Sequence, residues 1–278
     1  MLTPRAYQRL VQSHRESWQV PASAPLKEVT RFLESANQLA VVNISRRPGG
    51  GETAGGGGFT RYLVGAPSEH AVALSLRGGS YLSHATAVFL HGLSVQIPRS
   101  IHVNREQSPK PRPQGSLSQE SIDRAFQSKP RTTTYEFEFR GFRLVLLNGK
   151  STGRFGVMTL TVNGEALEVT DLERTLVDIA VRPVYSGGPL EVAKVYREAS
   201  RQVAVEKLVA TLTRLDYIYP YHQSLGFYLQ RAGIPSHVLS PLRALGLHHD
   251  FYLANQIHNP AYDREWRLFY PAEIKLLD

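Results

Sequence analysis

An α+β fold is what this sequence predicts, and three observations predict it. Two amphipathic helical stretches open the chain and lead into strand-like runs at 39–44 and 59–64. Alternating runs fill the middle: 133–139 against 142–147 across Arg140-Gly141, and 157–162 against 166–169 across Asn163-Gly164, a strong two-residue hairpin signal. From residue 171 the pattern turns helical, over roughly 171–181, 188–200, 203–215, 219–232 and 236–245, with short late strands at 251–253 and 266–269. Strands followed by a block of helices indicate α+β rather than alternating βαβ units.

Each element has a local reason. Thr3-Pro4 reads as an N-cap followed by proline at the first helical position, starting a helix over 4–17 with Ala6, Tyr7, Leu10 and Val11 on its apolar face. After the connector at 20–25, a second helix spans 25–37. Leu26, Val29, Phe32 and Leu33 turn inward; Lys27, Glu28, Thr30, Arg31, Glu34 and Ser35 turn outward. The strand at 39–44 ends in Arg46-Arg47-Pro48. A glycine-rich stretch through Gly58 follows, then the return strand. Helix, helix, hairpin with a basic loop is the order of a winged helix-turn-helix, read with two helices where three usually precede the wing. The expected organisation is therefore a winged domain at 1–78 followed by a mixed α+β domain at 79–278.

A short helix at 70–76 ends the first domain, and the second opens with a longer one at 80–93, with Ala85, Val88, Phe89 and Leu93 inward. A strand at 96–104 and an extended basic loop at 108–113 precede the hairpins. Thr170 and Glu173 stand at capping-box spacing ahead of a helix whose apolar face is Leu172, Leu176, Ile179 and Ala180. Arg182-Pro183 ends that helix.

The totals exclude several chemistries. The chain has 278 residues and no cysteine, so disulfides, thiolate-held zinc, iron–sulfur clusters and thiol nucleophiles are ruled out. No apolar run approaches membrane-helix length, and no signal pattern opens the chain, so a cytoplasmic protein is expected. The net charge of +8 is unevenly spread. Residues 1–154 carry 20 Lys and Arg against 10 Asp and Glu; residues 155–278 carry 12 against 14. A basic front half suits a polyanion.

The catalytic motifs are weak. The glycine-rich stretch lacks the Gly-Lys-Ser/Thr ending of a phosphate-binding loop. Asn148-Gly149-Lys150-Ser151 has that flavour, but Leu144 stands where the first glycine belongs. Asp263, Glu273 and Lys275 loosely match the acidic–acidic–lysine set of metal-dependent nucleases. Glu173 and Asp178 diverge on their helix and read as a cap and a solvent or salt-bridge partner. His84 and His91 share a face without a third ligand, and His248-His249-Asp250 reads as a polar turn. The tyrosines around Asp216–Tyr221 read as packing at a helix junction. No cofactor or metal is expected.

Taken together, Ser80-Tyr81-Leu82-Ser83-His84-Ala85-Thr86-Ala87, Leu90-His91-Gly92-Leu93, the run from Val169 to Asp178 continuing through Arg182-Pro183 to Gly188, Tyr228-Leu229-Gln230-Arg231-Ala232-Gly233 and Trp266-Arg267-Leu268 resemble the AbiEi family. These are antitoxins and transcriptional regulators of type IV, abortive-infection toxin–antitoxin systems. The resemblance implies a non-enzymatic dual role. An N-terminal winged domain would bind double-stranded operator DNA and repress its own operon. A C-terminal domain would oppose a cognate nucleotidyltransferase-like toxin, with no need for a stable complex. Lys27, Thr30, Arg31 and Ser35 on the second helix, and Arg46, Arg47 and Arg61 on the wing, are the expected DNA contacts. The alternatives are a nuclease or nucleotidyl-transfer enzyme using Asp263, Glu273 and Lys275, and a stand-alone regulator that answers to a ligand in its C-terminal domain.

Overall fold

The computed structural model describes residues 1–47, 57–111 and 116–277. Most of the expected wing tip at 49–58, and residues 112–115 of the basic loop, lie outside the described residues.

In chain order the elements are α1 (Pro4–His14), α2 (Leu26–Ser35), β1 (Ala40–Arg46), β2 (Phe59–Leu63), α3 (Glu69–Leu74), β3 (Tyr81–Leu82), α4 (His84–Leu90) and β4 (Ser100–Glu106). There follow α5 (Gln119–Gln127), β5 (Glu136–Phe139), β6 (Phe142–Gly149), β7 (Val157–Val162), β8 (Glu165–Thr170) and α6 (Leu172–Val181). The chain continues with α7 (Pro189–Ala199), α8 (Val205–Leu215), α9 (Tyr221–Arg231), α10 (Ser240–Arg243), β9 (Phe251–Tyr252), β10 (Pro260–Asp263) and β11 (Leu268–Pro271). The fold is mixed α+β. Among the described residues, no helix is long and apolar enough to cross a membrane.

Thr3 starts α1 by accepting from the Ala6 amide, with Pro4 at the first position. Tyr7 and Val11 of α1 meet Val29 and Leu39 in a small core of their own, closed by Tyr62, whose ring stacks on Tyr7 at 4.0 Å. Leu26 and Leu33 pack against that core, but Phe32, expected inward, is 69% exposed. At 100° per residue, Phe32 stands roughly a quarter-turn off the centre of the Leu26–Val29–Leu33 stripe.

β1 and β2 pair as the expected antiparallel hairpin, from Ala40↔Leu63 to Ile44↔Phe59. The end of β1 goes further and pairs with β5, Ser45↔Glu138 and Arg46↔Phe137. The hairpin is thus the edge of an eight-stranded sheet in the order β2-β1-β5-β6-β4-β3-β8-β7, and that sheet runs across residue 78. Two neighbouring pairs, β4 with β6 and β3 with β8, are parallel. β6 is buried on both faces: Leu144 and Leu146 join the core under α3 and α4, while Val145 and Leu147 pack on Tyr185. The C-terminal helices close a larger core around Leu176, Tyr196, Tyr228 and Trp266. The small sheet β10-β11-β9 edges it.

Local readings shift in three places. The helix expected over 80–93 begins only at His84, because Tyr81 and Leu82 pair with Asn104 and Val103 and Leu82 also meets Val169. The expected Thr170–Glu173 capping box is displaced. Asp171 is the cap and accepts from the Arg174 amide at 2.8 Å, while the Thr170 hydroxyl bonds that of Thr175. Glu173 turns instead to Lys207 of α8. The helix α5 and the strand β10 have no counterpart in the sequence reading.

Candidate functional site

Two regions carry the chemistry. The first is the basic N-terminal unit. Lys27, Arg31 and Ser35 are exposed and recur every four residues, so they share one face of α2. The Ser35 hydroxyl donates to the Phe32 carbonyl of its own helix at 2.8 Å. Thr30 departs from the expectation: its hydroxyl donates to the Leu26 carbonyl at 2.8 Å and shares a bond with the Tyr7 hydroxyl at 3.0 Å, so it belongs to the α1–α2 contact. Arg47 is exposed; Arg46, half-buried, holds its guanidinium 5.0 Å from the Tyr135 ring centre.

Arg61 is a correction. It is 5% exposed, and its guanidinium donates to the Ser75 carbonyl at 2.8 Å, the Ser75 hydroxyl at 3.1 Å and the Thr60 carbonyl at 2.8 Å. Ser75 caps the C-terminus of α3, where unpaired carbonyls attract a cation. Arg61 closes that helix end and does not present its charge to DNA.

The second region is a cavity of about 770 Å³ at the C-terminal ends of β4 and β6. Its floor comes from α6. The residues of α6 from Glu173 to Ala180 are all buried, so the charged pair Arg174–Asp178 lies in the interior, Nε to Oδ1 at 2.9 Å. Arg174 also donates to the Phe155 carbonyl at 2.9 Å. Burial pushes the Asp178 carboxyl up against the pull of Arg174. Beside them the Asn104 amide donates to the Tyr81 hydroxyl at 2.9 Å. Glu106 accepts from the amides of Thr152 and Arg154 and from the Thr152 hydroxyl. Burial would raise that carboxyl, but these donors outweigh it and hold it below its ordinary range.

His84 borders the cavity with φ +53°, a left-handed conformation uncommon outside glycine. Burial keeps its imidazole far below the ordinary histidine range, helped by the nearby charge on Arg182 and by His102. His102, whose ring is tilted 47° to it at 6.1 Å, is pushed down to about 4, again mainly by burial. His91 binds the Thr170 carbonyl at 2.7 Å, so the two histidines seven apart serve different contacts.

The upper wall is built from segments the sequence reading set aside. Lys150 of Asn148-Gly149-Lys150-Ser151 donates to the Leu215 and Asp216 carbonyls at the end of α8. A side chain at Gly149 would collide with the Asn104 amide. Tyr217, Tyr219 and Tyr221 line the cavity beside it. The residues of the nuclease alternative are not drawn to the cavity: Asp263 accepts from the Trp266 amide at 2.9 Å, and Glu273 and Lys275 lie on the terminal 3-10 helix Ala272–Leu277. Asp250 pairs with Arg267 at 2.9 Å, which holds its carboxyl low.

No family model matches the chain, and no curated protein matches it. Among solved structures, the chain is similar to the crystal structure of RV2827C protein from Mycobacterium tuberculosis. The likeness covers 98% of this chain and 87% of that one, at a TM-score of 0.60 and 15% identity. At that identity it concerns the fold alone.

Proposed function

We propose that this chain is a DNA-binding autorepressor and the antitoxin of a type IV abortive-infection pair, working without catalysis. The observation that carries the DNA half is the exposed face of α2. Lys27, Arg31 and Ser35 stand along it while Val29 and Leu33 on the other side tie the helix to Tyr7 and Tyr62. A helix anchored on one side and exposed on the other, where Lys27 and Arg31 stand among Glu28 and Glu34, suits a major groove. Arg46 and Arg47, at the end of β1, would meet phosphate as the wing of a winged helix-turn-helix at the N-terminus. The uneven charge, with its cationic surplus in residues 1–154, supports the same reading. The antitoxin half rests on the AbiEi resemblance in residues 80–93, 169–188, 228–233 and 266–268.

The test is binding of the purified protein to its own upstream DNA and to scrambled DNA across a salt series. Specific binding with a steep salt slope is expected, and each phosphate contact removed should flatten the slope by about 0.9. Reversing charge at Arg46 and Arg47 should weaken binding to both DNAs alike. Equal, weak binding to the two DNAs would overturn the operator reading. Co-expression with a nucleotidyltransferase-like toxin encoded beside it, if the neighbouring gene is one, scored as relief of growth arrest, tests the antitoxin half.

A further inference from the structure

We propose that the cavity at the C-terminal ends of β4 and β6 binds a nucleotide, with its base against the buried polar floor and its phosphate at the cationic rim. This site stands apart from the DNA reading and needs none of its residues.

The floor asks for hydrogen-bond donors. Asp178 Oδ2 and Asn104 Oδ1 lie sealed just beneath the cavity surface and have no hydrogen-bond partner among the described residues, so a base meets them once these side chains turn outward. Both residues line the cavity, and the Asp178 side chain is 6% exposed. Buried acceptors left unpaired are costly, so such atoms normally meet a donor. Neither a phosphate nor a carboxylate can supply one; the amino and ring N–H groups of a nucleobase can.

The rim asks for an anion. Lys110, Lys150 and Arg182 line it, against one rim carboxylate among the described residues, that of Asp216. Lys150 directs two of its three donors to carbonyls, which leaves its charge unneutralised and one donor over. Arg182 is exposed, lines the cavity, and its guanidinium makes no hydrogen bond among the described residues. Between rim and floor, the rings of Tyr217 and Tyr221 stand 5.4 Å apart and edge-on, surfaces that suit a planar base.

Position and size agree. The cavity opens at the carboxyl ends of the parallel pair β4 and β6. The volume of about 770 Å³ falls within the span of small-molecule sites.

The test is titration calorimetry of the full chain, without DNA, using AMP, GMP, CMP and UMP. Ribose 5-phosphate and inorganic phosphate are the control ligands. At least one nucleotide with an amino-bearing base should bind about tenfold or more tightly than either control. Arg182→Ala with Lys110→Ala, both exposed, should weaken that nucleotide by about tenfold or more while leaving the melting temperature unchanged. Asn104→Ser should erode the preference among bases; a melting curve on the same sample reports whether it is folded, and Tyr217→Leu serves as the second wall variant. If ribose 5-phosphate binds as well as every nucleotide, the base site is wrong. If no nucleotide binds at millimolar concentration, or the rim double variant binds like the wild type, the proposal fails.

Discussion

Arg174 and Asp178 hold their charges inside a helix that is buried on every side, a placement that is stable only while both are present. Asp178→Ala should therefore cost about 3–5 kcal/mol, since it leaves Arg174 buried and unpaired. The urea midpoint measures this, and an unchanged midpoint would show that water reaches Arg174. Gly226 presents a different constraint. A side chain there would lie 2.2 Å from the Trp266 ring, which is fully buried. Gly226→Ala should cost about 1–3 kcal/mol by overpacking, again read from the midpoint. Neither residue is exceptional in the sequence: a charged pair four apart usually lies on a helix surface, and a glycine in a helix says nothing of the ring against it.

At the scale of the element, the caps decide where helices begin. Asp171 holds the Arg174 amide, so Asp171→Ala should destabilise by about 0.5–2 kcal/mol, whereas the capping box expected at Thr170 would have assigned that loss to Thr170 and Glu173. Comparing the thermal denaturation of Asp171→Ala and Glu173→Gln separates the two. Arg61 offers a parallel contrast with α2. Arg61→Ala should lower the melting temperature and leave the salt slope of DNA binding unchanged, because its guanidinium closes α3. Lys27→Glu with Arg31→Glu should do the reverse. If Arg61→Ala flattens the salt slope while the protein stays as stable as before, Arg61 is a DNA contact after all. The sequence shows both arginines and lysines as equally exposed candidates. Only the pairing of β2 beside α3 separates Arg61 from the rest.

Across the whole molecule, two buried imidazoles make stability depend on pH. His102 titrates near 6.5 when unfolded and at about 4 when folded, because burial disfavours its charged form; His84 shifts the same way. Below about pH 6.5 the unfolded chain therefore binds a proton that the folded chain refuses. The contribution is complete above that pH and is lost as pH falls towards about 4, amounting to about 3 kcal/mol for His102. Urea midpoints between neutral and mildly acid pH should show this fall, and His102→Phe should make it shallower. An equal slope in that variant would mean that His102 does not carry the effect. At the same scale, the hairpin β1–β2 is legible as a hairpin, but its union with β5 into one sheet is not. Val41 of β1 packs in the N-terminal core and Val42 and Ile44 pack in the core of the large sheet, and none of this says which strand lies beside β1.

What the sequence by itself determined is local. It determined the Thr3-Pro4 start of α1, the Asn163-Gly164 turn with φ of +50° and +81°, the four-residue face of Lys27 and Arg31, and the helical block after residue 171. Each follows from residues within about one helical turn or one hairpin turn of each other. Tertiary structure alone decided the eight-stranded order, the burial of Arg61 and of the Arg174–Asp178 pair, and the cavity where β4, β6, α6 and the segment after α8 converge. Those depend on contacts between residues tens of positions apart. The strand neighbours and the desolvation of a charge are set by the whole packed chain, and no local spacing encodes them.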